Sequence, residues 1–153
     1  MNDTNMHTPT IAELQEIAQQ LPEHIPYLKM LVLFGSRATG KTHANSDWDF
    51  AALYDEEIRQ HHVNDDVFAW FEVPLILGRV FKINPDNIDV VELNNCSWLI
   101  AHFVADDGIL LYEKDPKGFD YFRLTSLRPE SELKKFRKEQ RQLIDIELKK
   151  LRV

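Results

Sequence analysis

Residues 31–54, LVLFGSRATGKTHANSDWDFAALY, form the stretch of sequence that decides the fold. A short apolar run at residues 28–34 stops at Gly35, and such runs are typical of buried strands. Two glycines and several polar residues predict a turn over residues 35–46, and a second strand is predicted for residues 47–54. The stretch therefore reads as a strand, a long turn and a second strand.

The second strand begins with two carboxylates, Asp47 and Asp49. Side chains two positions apart on a strand point to the same face of the sheet, roughly 7 Å apart. These two therefore form a pair, and Trp48 between them points to the opposite face. A third carboxylate, Asp89, lies near the start of another predicted strand, at residues 88–93.

Three clustered carboxylates need a cation. Two unit charges about 4 Å apart repel each other by roughly 4 kcal/mol at an effective dielectric of 20. A bound divalent ion removes this cost, and oxygen ligands without a nearby Cys or His cluster indicate Mg²⁺. Two such ions about 3.5–4 Å apart can stabilise the attacking and leaving oxygens of an in-line phosphoryl displacement.

The turn after the first strand is suited to a phosphate. Gly35 lets the backbone turn tightly beside a phosphate. Ser36 can contribute a hydroxyl group, and the backbone N–H groups after it can lie at the N-terminus of a helix, where they can bind phosphate. Arg37 and Lys41 are further candidate phosphate contacts. The pattern predicts a metal-dependent site for a nucleotide.

These motifs resemble a known family. Gly35-Ser36, a ten-residue gap and Asp47-x-Asp49 are similar to the signature of the DNA polymerase β-like nucleotidyltransferase superfamily. Its minimal members, the MNT domains, are close to this chain in length. Two further segments, IDVVEL and GILLYE, resemble the family's third-carboxylate strand and the turn and strand that follow it, so the likeness covers roughly residues 28–115.

The resemblance implies a role for each matching residue. Gly35 and Ser36 would hold the β- and γ-phosphates of ATP, and Asp47 and Asp49 would bridge two Mg²⁺ ions. Asp89 would ligate the ion that activates the nucleophile and could also receive its proton.

The resemblance also implies a partner. Stand-alone MNT proteins are typically encoded beside a HEPN-domain ribonuclease, and their implied role is that of an antitoxin that transfers AMP from ATP to a tyrosine hydroxyl of this toxin. One alternative is a nucleotidyltransferase acting on a small-molecule hydroxyl, although such enzymes usually carry an extra helical domain. Another alternative is a non-enzymatic antitoxin that masks its partner by binding.

Length and periodicity predict the architecture. The 153 residues fit one nucleotidyltransferase domain, 1–153, with a core at about 28–115. Strands separated by helices indicate an α/β or α+β fold: a small mixed sheet flanked by helices. An amphipathic helix is expected at about 129–151.

Several further elements are predicted. A capping box of Thr10 and Glu13 starts a helix that Pro22 and Pro26 should end. Residues 57–81 look mainly helical, with Val67 and Phe68 in the apolar face and an interruption at Pro74. A short helix is expected at residues 96–104 and a short strand at residues 109–112.

The charge distribution and the composition limit the classes of partner that are expected. Residues 1–127 hold 9 Lys/Arg and 20 Asp/Glu, a net charge of −11, whereas residues 128–153 hold 9 and 5, a net charge of +4. An acidic body repels nucleic acid, so no direct nucleic-acid substrate is expected. The basic tail is interpreted as a solvated helix face, with RNA or an acidic partner left open. A lone cysteine, Cys96, and no apolar run of about 18 residues predict a cytoplasmic protein without a membrane span.

Other motifs compete for the same residues. Residues 35–42 also match the P-loop pattern GxxxxGK[ST], but that reading needs a long helix after Thr42, where a strand is predicted. The adjacent His61 and His62 cannot share a helix face, so they are read as exposed. His102 is read as a packing residue, and the tryptophans as core or interface residues, namely Trp48, Trp70 and Trp98.

Overall fold

The structure, a computed structural model, describes residues 7–43, 46–63, 69 and 71–151. Its elements, in chain order, are α1 (Ile11–Ala18), α2 (Leu21–His24), β1 (Leu28–Phe34), α3 (Ser36–Thr39), β2 (Trp48–Tyr54), α4 (Glu56–Val63), α5 (Glu72–Phe81), a 3₁₀ turn (Pro85–Asn87), β3 (Ile88–Glu92), α6 (Trp98–Asp107), β4 (Ile109–Glu113), α7 (Gly118–Ser126) and α8 (Glu130–Leu151).

The four strands form one mixed sheet in the order β3-β2-β1-β4. Strand β1 runs antiparallel to both β2 and β4, whereas β2 and β3 are parallel. The predicted fold class, a small mixed sheet flanked by helices, is confirmed. The parallel pair matters most for the site, because it brings the starts of β2 and β3 to the same edge.

Helices cover both faces of the sheet, and the alternation of β2 shows which residues face which layer. Phe50 and Ala52 pack in the core cluster that includes α1 and α5. Ala51 packs in the second cluster, with Val104 of α6 and Phe119 of α7. Since successive strand residues point to opposite faces, Asp49 lies on the α6–α7 side of the sheet.

Two predictions about prolines are wrong. Pro22 does not end the first helix, which finishes at Ala18; it lies in the first turn of α2. Pro74 does not interrupt a helix either, because it is the third residue of α5. A proline in a first helical turn lacks an N–H group that would have no intrahelical acceptor anyway, so both positions tolerate it.

The predicted helical region 57–81 is divided into α4 and α5. Val67, Phe68 and Trp70 lie outside the described residues. The helix expected at 96–104 runs from Trp98 to Asp107, with Ser97 as its N-cap. Helix α7 was not predicted; it is short, and its sequence opens on a glycine.

The long C-terminal helix is confirmed, and its apolar stripe has two parts. Near its start Leu133 is buried, and the ring of Phe136 lies 5.4 Å from that of Trp98 in an edge-on contact. Further along, large apolar side chains are exposed, namely Leu143, Ile144, Ile146, Leu148 and Leu151. In the described part of the chain, no helix combines the length and apolar character needed to cross a membrane.

Candidate active site

Two of the three predicted carboxylates face each other across the parallel strand pair. Asp49 of β2 is in register with Asp89 of β3. Adjacent strands lie about 4.8 Å apart, so these side chains are neighbours on one face. Asp47 precedes β2 and is exposed, whereas Asp49 is only partly exposed. The structure therefore brings Asp49 and Asp89 together, and Asp47 lies two residues before Asp49.

The electrostatics of Asp49 record this crowding. Burial raises the pKa of its carboxyl, and the negative charges of Asp89 and Asp47 raise it further. Among the described residues, none of the three carboxylates forms an ion pair with a basic side chain. Negative charge thus accumulates at this edge without a compensating cation from the described residues.

Gly35 lies directly against the carboxylate of Asp49. Phe34, the last residue of β1, pairs with Asp49, and the chain then turns at Gly35 with φ at +74°. A Cβ at residue 35 would overlap Oδ2 of Asp49. Only glycine combines this positive φ with so close an approach, so the carboxylate of Asp49 packs directly against the turn, a contact that we call the Gly35 cradle.

Ser36 begins the single-turn helix α3. The N–H groups of Ala38 and Thr39 both donate to the carbonyl of Gly35, at 3.1 Å each. Since the first N–H groups of a helix have no intrahelical acceptor, those of Ser36 and Arg37 are available to a ligand. Gly40 ends the turn with φ at +83°.

This donor set fits Mg²⁺. Within the described residues, no three His, Cys, Asp or Glu side chains are already gathered into a metal cage. Mg²⁺ does not require one, because it usually takes one or two carboxylates and completes its octahedron with waters and substrate phosphates. Asp49 and Asp89 supply hard oxygen atoms on one face, and the turn at Gly35 packs against Asp49.

The two basic candidates differ in their placement. Lys41 is exposed in the segment after Gly40. Arg37 instead donates from Nε and Nη2 to the carbonyl oxygen of Ser46, at 3.2 and 2.8 Å. Its guanidinium also lies 4.4 Å from the centre of the Trp48 ring.

The P-loop alternative is excluded by the chain path. Strand β2 begins at Trp48, so only five residues separate it from Thr42. Three turns of helix need about 11 residues. The required helix therefore cannot follow Thr42.

Of the three remaining histidine candidates, His62 and His102 have structural partners. Nε2 of His62 lies 3.1 Å from Oε1 of Glu72, and His61 is exposed on α4. His102 is 5% exposed, and its Nδ1 accepts a hydrogen bond from the backbone N–H of Arg128. The packing interpretation of His102 is confirmed, as is the core position of Trp48, which is buried.

Sequence reasoning did not single out Ser46, although it organises the loop before Asp47. Its side chain is nearly buried, and its Oγ accepts a hydrogen bond of 2.8 Å from the N–H of His43. Its own N–H donates to the carbonyl of His43 at 3.0 Å. The only signal in the sequence was a serine just before the strand, a position where such local hydrogen bonds are common.

Comparisons with known proteins point to one family. The family model of polymerase beta nucleotidyltransferases matches residues 13–117. A relative from Aphanizomenon flos-aquae (strain 2012/KM1/D3), called protein adenylyltransferase MntA, is 58% identical over 130 residues, which span 85% of this chain and 87% of the relative.

Solved structures share the fold. One is a crystal structure of a toxin–antitoxin with AMP-PNP, matched with a TM-score of 0.57 at 24% identity over 88% of this chain and 98% of that chain. Another is a tri-AMPylated Shewanella oneidensis HEPN toxin in complex with its MNT antitoxin, matched with a TM-score of 0.55 at 21% identity over 91% and 99% of the two chains. The family match covers more than half of the chain and includes the whole carboxylate edge. The chain therefore belongs to the polymerase β family of nucleotidyltransferases, as its Gly-Ser and Asp-x-Asp motifs predict.

Proposed function

We propose that this protein transfers AMP from ATP to a tyrosine hydroxyl of a HEPN-domain ribonuclease and thereby acts as its antitoxin. The observation that carries the proposal is the uncompensated carboxylate edge, where Asp49 faces Asp89 beside the cradle of Gly35. The choice of acceptor is supported by the 58% identical relative, which is called a protein adenylyltransferase. It is also supported by a structure of the same fold that contains an AMPylated HEPN toxin.

Each residue of the edge has a part in this reaction. Asp47, Asp49 and Asp89 would hold Mg²⁺, which when bound neutralises the developing charge on the transferred phosphoryl group. Gly35 would let the triphosphate approach the backbone of the turn, and Ser36 would present its N–H and hydroxyl to the β- and γ-phosphates. Burial raises the pKa of Asp49, and the charges of Asp89 and Asp47 raise it further; a bound cation would relieve this repulsion.

The proton of the acceptor also needs a destination. The tyrosine oxygen forms a bond to the α-phosphorus of ATP, the bond to the pyrophosphate oxygen breaks, and pyrophosphate leaves. Asp89 is exposed and stands beside Asp49, so it can receive the proton that the hydroxyl loses.

The acceptor comes from another molecule. Asp47 and Asp89 are both exposed, so a hydroxyl carried by a partner can reach this edge. We place the reaction in the cytoplasm, where ATP is abundant and a lone thiol such as Cys96 stays reduced.

The test is to mix the chain, the toxin and ATP with Mg²⁺ and to record the intact mass of the toxin while RNA cleavage is followed. We expect AMP on a tyrosine, with cleavage stopping in step. Asp47→Ala combined with Asp49→Ala should abolish both effects. Asp86→Ala combined with Asp120→Ala removes the same charge from exposed positions and should abolish neither.

Two other outcomes would replace the proposal. A toxin that is silenced without gaining mass would identify an antitoxin that acts by contact alone. A toxin that is neither modified nor bound would favour a small-molecule acceptor.

A further inference from the structure

Within the part of the chain that the structure describes, the hydrogen bonds and the ring contact of the Arg37 guanidinium all go to residues that flank Asp47. Nε and Nη2 both donate to the carbonyl of Ser46, the residue before Asp47, at 3.2 and 2.8 Å. The Cζ atom of the guanidinium lies over the ring of Trp48, the residue after Asp47, at 4.4 Å from its centre. Among the described residues, no carboxylate lies within ion-pair distance of Arg37.

Both flanking residues are themselves fixed. Ser46 is 8% exposed and exchanges two hydrogen bonds with His43, one through its Oγ and one through its N–H. Trp48 is 7% exposed, and its ring stacks on Phe50 in the core. Asp47, by contrast, is exposed. The backbone on either side of Asp47 is therefore anchored, and Arg37 joins the two anchors.

We propose that Arg37 is a positioning residue: it holds the loop so that the carboxylate of Asp47 meets the Mg²⁺ of the nucleotide at the correct angle. This inference rests on the proposed function. It replaces the sequence-based interpretation of Arg37 as a direct phosphate contact. Residues behind a metal ligand commonly change metal affinity or activity by about 10–100-fold when they are mutated.

The geometry also explains why the residue is an arginine. Its planar fork can direct two N–H groups at one carbonyl oxygen while its face lies on an aromatic ring. A lysine ammonium keeps the charge but cannot make both contacts at once. Arg37→Lys therefore distinguishes positioning from phosphate binding. A phosphate contact tolerates a point charge, whereas the paired contacts with Ser46 and Trp48 require a guanidinium.

The first measurement is the Mg²⁺ concentration that gives half-maximal ATP binding, determined by calorimetry, which needs no acceptor. We expect Arg37→Lys and Arg37→Gln both to require about tenfold more Mg²⁺ than wild type. Arg79→Lys is the matched control, because Arg79 is exposed on α5, and it should leave the requirement unchanged.

The second measurement is AMP transfer. We expect both Arg37 variants to lose about 10–100-fold in kcat, while the KM for ATP at saturating Mg²⁺ stays near that of wild type. Arg37→Lys with wild-type kcat and Mg²⁺ requirement would overturn the proposal. So would a loss confined to the KM for ATP, which would identify a phosphate contact.

Folding and acceptor choice are controlled separately. If Arg37→Lys does not fold, Arg37→Gln decides, because it removes the guanidinium and with it both contacts; an unchanged Mg²⁺ requirement there would overturn the proposal. If wild type binds ATP with Mg²⁺ but modifies no toxin, the proposed acceptor is wrong, and the calorimetric comparison of Arg37 still stands.

Discussion

The acidic side chains at the two ends of the β2–β3 strand pair have opposite electrostatic surroundings: one set faces like charge and the other faces a cation. At the start of the strands, Asp49 faces Asp89 and the two repel each other. Near the end of β3, Oε1 of Glu92 accepts a hydrogen bond of 2.6 Å from Arg59 of α4, whose guanidinium lies 4.4 Å from the centre of the Tyr54 ring. Only three positions separate Asp89 from Glu92.

The difference separates an acid that stabilises the fold from acids that await a ligand. Arg59 is 3% exposed and has Glu92 as its close partner, so this pair links α4 to the sheet. The Asp49–Asp89 pair costs free energy in the folded chain, because like charges at a partly buried edge repel. Perturbed carboxylates of the second kind are typical of functional sites.

The largest contrast is expected in activity. Asp49→Asn keeps the size of the side chain but removes a metal ligand, and we expect AMP transfer to fall by about 1,000-fold or more. Glu92→Gln on the neighbouring stretch of β3 should keep transfer within a few-fold of wild type. Initial rates of toxin modification give both values. Equal losses in the two variants would mean that the edge has no special role.

The next contrast uses two glycines that share a positive φ. A Cβ at residue 35 would overlap Asp49, whereas one at residue 40 meets no atom within 4 Å. Gly40 is in the left-handed helical region, where Ala should cost about 1–2 kcal/mol of stability. Gly35, with ψ at −156°, adopts a conformation that is essentially restricted to glycine, so Ala should cost at least as much there.

Only Gly35→Ala should also displace the carboxylate, and we expect its transfer rate to fall about 10–100-fold below that of Gly40→Ala. Rates are compared at a temperature at which both variants are folded by circular dichroism. Similar transfer rates in the two variants would show that the close approach of Gly35 to Asp49 does not contribute to activity.

Stability should reverse the ranking of the two acids. Glu92→Gln weakens the 2.6 Å contact between the Glu92 carboxylate and the buried guanidinium of Arg59, and should lower the free energy of unfolding by about 1–2 kcal/mol. Asp49→Asn relieves repulsion and should leave it unchanged or slightly higher. Urea unfolding without Mg²⁺ measures both. A destabilised Asp49→Asn beside an unaffected Glu92→Gln would reverse our assignment.

The smallest expected effect is on the pH dependence of stability. The folded protein holds the Asp49 proton more tightly than the unfolded chain does, because the pKa is raised. Stability should therefore fall as the pH rises from the ordinary aspartate pKa, about 3.9, through the raised value. Asp49→Asn should not show this decline. The resulting difference in the free energy of unfolding should be less than about 1 kcal/mol, because the carboxyl group is partly solvated. Parallel decline in both proteins would contradict the cause assigned to the shift.

The sequence predicted the parts of the site that depend on local pattern. Strand alternation placed Asp49 opposite in direction to Trp48, and Gly35 marked the turn beside it. The register of Asp49 with Asp89 depends on β2 and β3 being parallel neighbours. The alternation does not specify this pairing, and the family resemblance implied only that Asp89 serves as the third carboxylate.

Contacts made across the fold could not be predicted in this way. Arg37 bonds to a carbonyl nine residues away, and Arg59 meets Glu92 across 33 residues, so both depend on the three-dimensional path of the chain. Pro74 was misplaced for a related reason, because whether a proline breaks a helix depends on where that helix begins. Helix α7 was missed although its apolar residues follow a helical period, because it is short and opens on Gly118, and its packing against α6 cannot be seen in the sequence.

The central claim is that the repelling acids at the start of β2 and β3 form the site for Mg²⁺ with the triphosphate. The most direct measurement is the thermal unfolding of wild type, Asp49→Asn and Glu92→Gln, each with and without Mg²⁺ and a non-hydrolysable ATP analogue. A ligand at about 100 times its Kd stabilises the folded state by about 2.7 kcal/mol, so a clear rise in Tm is expected where the site is intact. We predict this rise for wild type and Glu92→Gln and none for Asp49→Asn. An equal rise in all three proteins, or one that does not need Mg²⁺, would contradict the account.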